Sequence, residues 1–108
     1  MYETKLKIAG FEVETAEDGE EAIKKIKNNT PDLTLLDIML PKKNGFDVLE
    51  EVRKEKDLAS LPIIMLTNLS QESDIKLAVS LGARDYIIKS NIMLNDLVNK
   101  VKSHLALA

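Results

Sequence analysis

The sequence predicts a doubly wound α/β domain, a parallel sheet covered by helices on both faces. Three observations carry this expectation. The apolar runs Leu33–Leu36 and Ile63–Leu66 lack the alternation of a strand with one wet face, as strands buried on both sides do. Amphipathic stretches of helical spacing separate the apolar runs, so strands and helices alternate along the chain. The apolar runs end in polar groups, Asp37, Thr67 and Lys89, and in open α/β sheets ligands and chemistry collect at the carboxyl ends of the strands.

The elements follow in order. Tyr2 to Ala9 reads as the tail of a helix with Leu6 and Ala9 on one side, stopped by Gly10. Phe11 to Ala16 alternates apolar and polar residues and predicts an edge strand with one wet face. Asp18-Gly19 is turn chemistry, and Asp18 is placed to cap a helix over Glu20–Lys27 with Ala22, Ile23 and Ile26 inside. Leu33–Leu36 is then a fully buried strand. A loop from Pro41 to Gly45 leads into a helix carrying Phe46, Val48, Leu49 and Val52, running to about Lys56. The second buried strand is Ile63–Leu66, followed by a polar loop and a helix with Ile75, Ala78, Val79 and Leu81, stopped by Gly82. Tyr86–Ile88 is a short strand, and Leu97, Val98, Val101 and Leu105 mark the last helix, with Asn95 the best candidate cap.

The chain has 108 residues, enough for one domain spanning 1–108 with a real core. Aromatic residues make up only 4%, so that core must be aliphatic. The absence of cysteine excludes a disulfide framework, a thiolate zinc site and a cysteine nucleophile. A net charge of −3 gives no electrostatic reason to expect nucleic-acid binding. No apolar stretch approaches the roughly 18–20 residues that span a bilayer, and no signal-peptide pattern opens the chain. A cytoplasmic location is the default expectation.

The segment from Pro31 through Asp37 to Pro41, with Asn44-Gly45-Phe46, closely resembles the phosphoacceptor segment of bacterial two-component response-regulator receiver domains. Pro62–Thr67 and Gly82–Lys89 resemble that family's later two signature strands, and Ala16–Ala22 its usual turn after the second strand. The resemblance implies a flavodoxin-like three-layer sandwich, but one lacking the usual first strand. Receivers open with a strand that ends in an acidic pair, whereas this chain opens inside the helix that follows. The resemblance places that strand between Phe11–Ala16 and Leu33–Leu36, so its absence is expected to expose ladder groups on both neighbours. A fragment starting at an internal methionine, a deliberate truncation, and a natural minimal form whose gap closes directly or by a second copy all fit this pattern.

The resemblance also implies chemistry. Asp37 would accept a phosphoryl group from a sensor histidine kinase, a phosphotransfer protein or a small phosphodonor. Lys89 and Thr67 would bind phosphoryl oxygens, and movement of Thr67 would free space for Tyr86 to turn inward as a switch. Mg²⁺ would be held by Asp37, by the Met39 carbonyl and by the acidic pair, which is missing, so binding and phosphorylation are expected to be weakened. Any enzymatic activity is at most self-phosphorylation and autodephosphorylation. Met39 and Asn68 fall at positions bordering the phosphoryl group, and Ser90 stands where the family usually has a proline preceded by a cis peptide. An apolar Met39 is expected to restrict hydrolytic water and prolong a phosphate's life. The alternative is a phosphorylation-independent interaction or dimerisation module, or a non-functional fragment. A dehalogenase-like phosphoester enzyme is set aside, because Met39 stands where its second aspartate belongs. His104, alone near the C-terminus, reads as a surface residue without a partner.

Overall fold

The computed structural model describes residues 2–107. Five helices, α1 (Tyr2–Ile8), α2 (Gly19–Asn28), α3 (Gly45–Lys54), α4 (Glu72–Ser80) and α5 (Leu94–Leu107), accompany three strands, β1 (Thr34–Leu36), β2 (Ile63–Thr67) and β3 (Asp85–Ile88). Short 3₁₀ turns cover Lys56–Leu58 and Lys89–Asn91. The strands form one parallel sheet in the order β1-β2-β3, with Leu36 opposite Met65 and Thr67 opposite Ile88.

β2 is buried along its whole length. Its side chains divide by the period of two that any strand imposes. Ile63 and Met65 pack with α2, α3 and α4 through Ile23, Ile26, Val48, Leu49, Val52 and Ala78. Ile64 and Leu66 pack on the other face with Leu6 of α1 and Leu97, Val98 and Val101 of α5. Two cores back to back on one sheet are the doubly wound architecture that the alternating pattern predicts.

Local chemistry sets the helix ends. Asp18 caps α2 by accepting the Glu21 N–H at 2.8 Å. Asn44 and Asp47 form a reciprocal capping box on α3, a signature of Asn followed three residues later by an acid. Gly10 and Gly82 both adopt positive φ, the left-handed conformation that stops a helix cheaply only at glycine. The Arg53 guanidinium locks α3 to the turn before β3, donating to the Gly82 carbonyl at 2.8 and 3.1 Å and to the Leu58 carbonyl at 2.7 Å.

The predicted strand Phe11–Ala16 is not a strand. Its residues pair with no strand among those described, and the sheet has three members rather than four. Phe11 and Val13 still pack against the α1/α5 core and Ala16 against the other, while Lys25 Nζ donates to the Thr15 carbonyl. The alternation was a true sign of one buried face. A strand also needs a ladder partner, however, and the element expected between this segment and β1 is absent. The same absence corrects the reading of Leu33–Leu36 as fully buried. Only Leu36 is buried, and Leu33, Thr34 and Leu35 are half-exposed, with β1 hydrogen-bonded to β2 alone. The buried Thr34 Oγ1 has no hydrogen-bond partner.

Other departures are smaller. α3 stops at Lys54, short of Lys56, and α4 begins at Glu72, inside the stretch read as loop. Val79 is 60% exposed, and of the predicted inner set on α4 only Ala78 is buried. α5 starts at Leu94, one residue before its predicted cap Asn95.

Native-state hydrogen exchange tests the three-stranded sheet. The amides of Glu12–Ala16 are expected to exchange early, with those of Ile63–Thr67 among the last, because only the latter open with the core.

Candidate functional site

The three strand ends meet at one edge of the sheet. Asp37 follows β1, Thr67 closes β2 and Lys89 follows β3. Because β2 lies in the middle, Lys89 must reach across it to the far strand. Its Nζ lies 2.6 Å from Asp37 Oδ2, a short charge-assisted contact. The other carboxylate oxygen, Oδ1, accepts the Met39 N–H at 3.1 Å. Thr67 is fully buried, and its Oγ1 accepts the Leu69 N–H at 3.3 Å.

Burial works to raise the Asp37 pKa, but hydrogen bonds from Lys89, the Met39 backbone and Thr67, together with the Lys89 charge, outweigh it. The carboxyl is held below its ordinary value, so Asp37 is an anion with a cation already in place.

The loop after Asp37 is fixed by close backbone approach. The Gly45 N–H donates to the Ile38 carbonyl at 2.9 Å and the Gly19 N–H to the Pro41 carbonyl at 3.2 Å. A Cβ on Gly45 would fall 2.3 Å from the Asp37 carbonyl oxygen and 2.7 Å from Ile38 Cα. Both are backbone atoms, so the loop itself would have to move. Met39 is 68% exposed.

Tyr86 is half-buried, and its hydroxyl donates to the Leu69 carbonyl at 2.6 Å. Burial, with the charges of Asp74 and Asp37, raises its pKa. The Tyr2 ring lies with its centroid 5.9 Å from Lys89 Nζ, at the outer limit of a cation–π contact. No pattern in the sequence marks that neighbour.

His104 corrects the sequence reading. Its side chain is only 16% exposed, and Nε2 lies 2.9 Å from Asp85 Oδ2, with Lys100 Nζ 3.6 Å from the same oxygen. The pairing joins α5 to the start of β3, at the end of that strand opposite Lys89. Burial opposes ionisation of Asp85, yet hydrogen bonds from His104 and the Tyr86 N–H, with Lys100, bring its pKa below the ordinary value. Nineteen residues separate the partners, so only the fold brings them together.

The order of elements, the three strand ends and the Lys89–Asp37 contact are those of a signalling domain, and the model of the response regulator receiver domain matches residues 1–102. The chain belongs to the receiver-domain family of two-component response regulators. Receiver domains pair with histidine kinases. A probable transcriptional regulator, ycf27, of Porphyridium aerugineum is 51% identical over 89 residues, covering 82% of this chain and 36% of that protein. The alkaline phosphatase synthesis transcriptional regulatory protein PhoP of Bacillus subtilis is 44% identical, with 82% and 36% covered. The receiver thus spans about a third of the length of these curated relatives. A CheY-like receiver domain from Methanospirillum hungatei superposes with a TM-score of 0.89 at 31% identity, covering 97% of this chain and 82% of that one. A putative response regulator from Chloroflexus aurantiacus gives 0.88 at 38% identity, covering 96% and 84%. The fold is the flavodoxin-like, CheY-like α/β arrangement with an open parallel sheet. No helix of the described residues is long and apolar enough to cross a membrane.

Receiver domains generally bind Mg²⁺ for phosphorylation. The residues described do not fit such a site: no group of three or more His, Asp or Glu side chains among them is placed to hold a metal ion. Asp37 is the single carboxylate of the cluster, and both of its oxygens are engaged.

Two outcomes follow for the site. Gly45→Ala is expected to destabilise the domain by about 1–3 kcal/mol, the usual cost of forcing extra volume into a packed position, measured by urea unfolding. Acid unfolding followed by circular dichroism tests the carboxylates. Asp37 and Asp85 both have depressed folded pKa values relative to 3.8. Their contribution is therefore complete above that value and lost as pH falls through the lower folded values. Asp85→Asn should flatten the acid limb of the stability profile while lowering stability at neutral pH.

Proposed function

We propose that Asp37 is the phosphoacceptor of this receiver and that the chain works in a cytoplasmic phosphorelay, taking its phosphoryl group from a sensor histidine kinase or a phosphotransfer protein. The observation that carries the reading is the 2.6 Å contact between Lys89 and Asp37 across the end of β2, with Thr67 buried between them in the strand order. A carboxylate oxygen of Asp37 attacks phosphorus, and a new P–O bond forms as the bond to the donor's leaving atom breaks. Transfer of this kind depends on positioning and on neutralising charge at the equatorial oxygens. Lys89 would move its hydrogen bond from the carboxylate to a phosphoryl oxygen, and the Thr67 hydroxyl would meet another.

Tyr86 is the proposed switch. Its hydroxyl bond to the Leu69 carbonyl ties it to the loop that follows Thr67, so a shift of Thr67 toward a phosphate would disturb that bond directly. The neighbouring face of α4, where Leu77 and Val79 are exposed, would carry the change to a partner. The named relatives are transcriptional regulators; for this domain alone, with its net charge of −3, we propose protein partners rather than nucleic acid.

Without a fitting metal site, phosphorylation is proposed to be weak. Incubation with acetyl phosphate, with and without Mg²⁺, is read by intact mass beside Asp37→Asn. The expected result is slow, substoichiometric addition of one phosphoryl group, lost in Asp37→Asn and reduced at least tenfold in Lys89→Ala, in line with loss of one charge-stabilising group. Addition that survives Asp37→Asn would overturn the assignment.

The segment Phe11–Ala16, paired with no strand among the described residues, and the open edge of β1 favour a second reading, an interaction or dimerisation module. Exposed edges invite strand pairing. Concentration-dependent dimerisation in sedimentation, with protection gained by the amides of Glu12–Ala16, is the expected sign of that role. A monomer at all concentrations opposes it.

A further inference from the structure

We infer that Asn68 is a positioning residue for Lys89, acting through the backbone N–H of Ser90. The backbone ladder between β2 and β3 closes at the pair Thr67–Ile88. One residue further on, the strands part and the chain after β3 turns into the 3₁₀ segment Lys89–Asn91. That turn has no side-chain cap at its leading residue Ile88. The Asn68 side chain takes over where the ladder stops, its Oδ1 accepting the Ser90 N–H at 3.0 Å. The bond joins residues 22 apart in sequence and adds a last rung between the two strand ends.

The position of that rung gives it its effect. Thr67 and Asn68 are consecutive, as are Lys89 and Ser90, so the hydrogen bond ties the residue after Thr67 to the residue after Lys89. Lys89 has a long flexible stem, yet its ammonium must stay on the Asp37 carboxylate across the width of β2. The backbone direction at residues 89 and 90 decides whether it reaches. No cis peptide occurs among the described residues, and Ser90 carries the backbone N–H that donates to Asn68. A proline at position 90 could not make this bond, having no N–H. The serine at 90 and the asparagine at 68 are therefore one device.

The inference rests on the reading of Lys89 and Asp37 as the reacting pair, but its test needs no phosphoryl transfer. The Lys89 amine is acylated with an N-hydroxysuccinimide ester, and its modification is compared by peptide mass with that of the exposed Lys102 in the same sample. Relative to Lys102, Lys89 should be protected in the natural protein and several-fold more reactive in Asn68→Ala, approaching its reactivity in Asp37→Ala. Asn68→Asp keeps an acceptor oxygen for Ser90 and should restore protection. The Ser90 amide should exchange several-fold faster in Asn68→Ala, as the net worth of one neutral hydrogen bond implies. Faster Ser90 exchange with Lys89 reactivity unchanged would overturn the inference, leaving Asn68 as a loop anchor only. The adduct experiment on Asp37 reads the phosphoacceptor assignment separately, so either can fail alone.

Discussion

The strand Ile63–Thr67 lies between the other two strands and between the two layers of helices, with alternate side chains sent into opposite cores. That position constrains the rest. The strand's five buried residues leave no freedom of register, since a slip of one would exchange the faces of every side chain. β1 and β3 are aligned against it, one on each side, and the polar groups at their ends are thereby set at fixed positions around Thr67. The contact of Lys89 with Asp37 is a consequence of that alignment. It spans the middle strand, and it forms only if all three strands end at the same level.

Much of this arrangement was legible in the sequence because it depends on local pattern. Ile63–Leu66 has the length and composition of a strand buried on both faces, and the spacing of Ala22, Ile23 and Ile26 or of Val48, Leu49 and Val52 marks one face of a helix. The polar residues that end the three apolar runs grouped Asp37, Thr67 and Lys89 as a set, and the resemblance to receiver domains supplied their expected roles. Phe11–Ala16 misled for an instructive reason. Alternation reports which side chains face a core, and Phe11 and Val13 do pack against one; it does not report whether a neighbouring strand exists. His104 and Asp85 were illegible in a different way, because a hydrogen bond between residues far apart on different elements leaves no periodic trace. The same holds for Asn68 and Ser90.

The electrostatics of the site join stability to function. An aspartate below its ordinary pKa, hydrogen-bonded by Lys89 and by the Met39 backbone, is ionised with its charge already balanced, the state the proposed phosphoacceptor role requires. Both groups that hold it are backbone-anchored: Met39 by the loop that Gly45 presses against, and Lys89 by the end of β3. Asp37 is the one carboxylate of the cluster among the described residues, and Lys89 is the cation that faces it. β1 is half-exposed, with one hydrogen-bonded neighbour among the described residues.

Lys89, delivered across β2, holds the Asp37 carboxylate in its ionised form. An NMR titration of the Asp37 side-chain carboxyl carbon, in the natural protein and in Lys89→Met, tests it most directly. The account predicts a midpoint below the ordinary 3.8 in the natural protein and a clear rise in Lys89→Met, where burial acts without the opposing ammonium. The same midpoint in both proteins would contradict it.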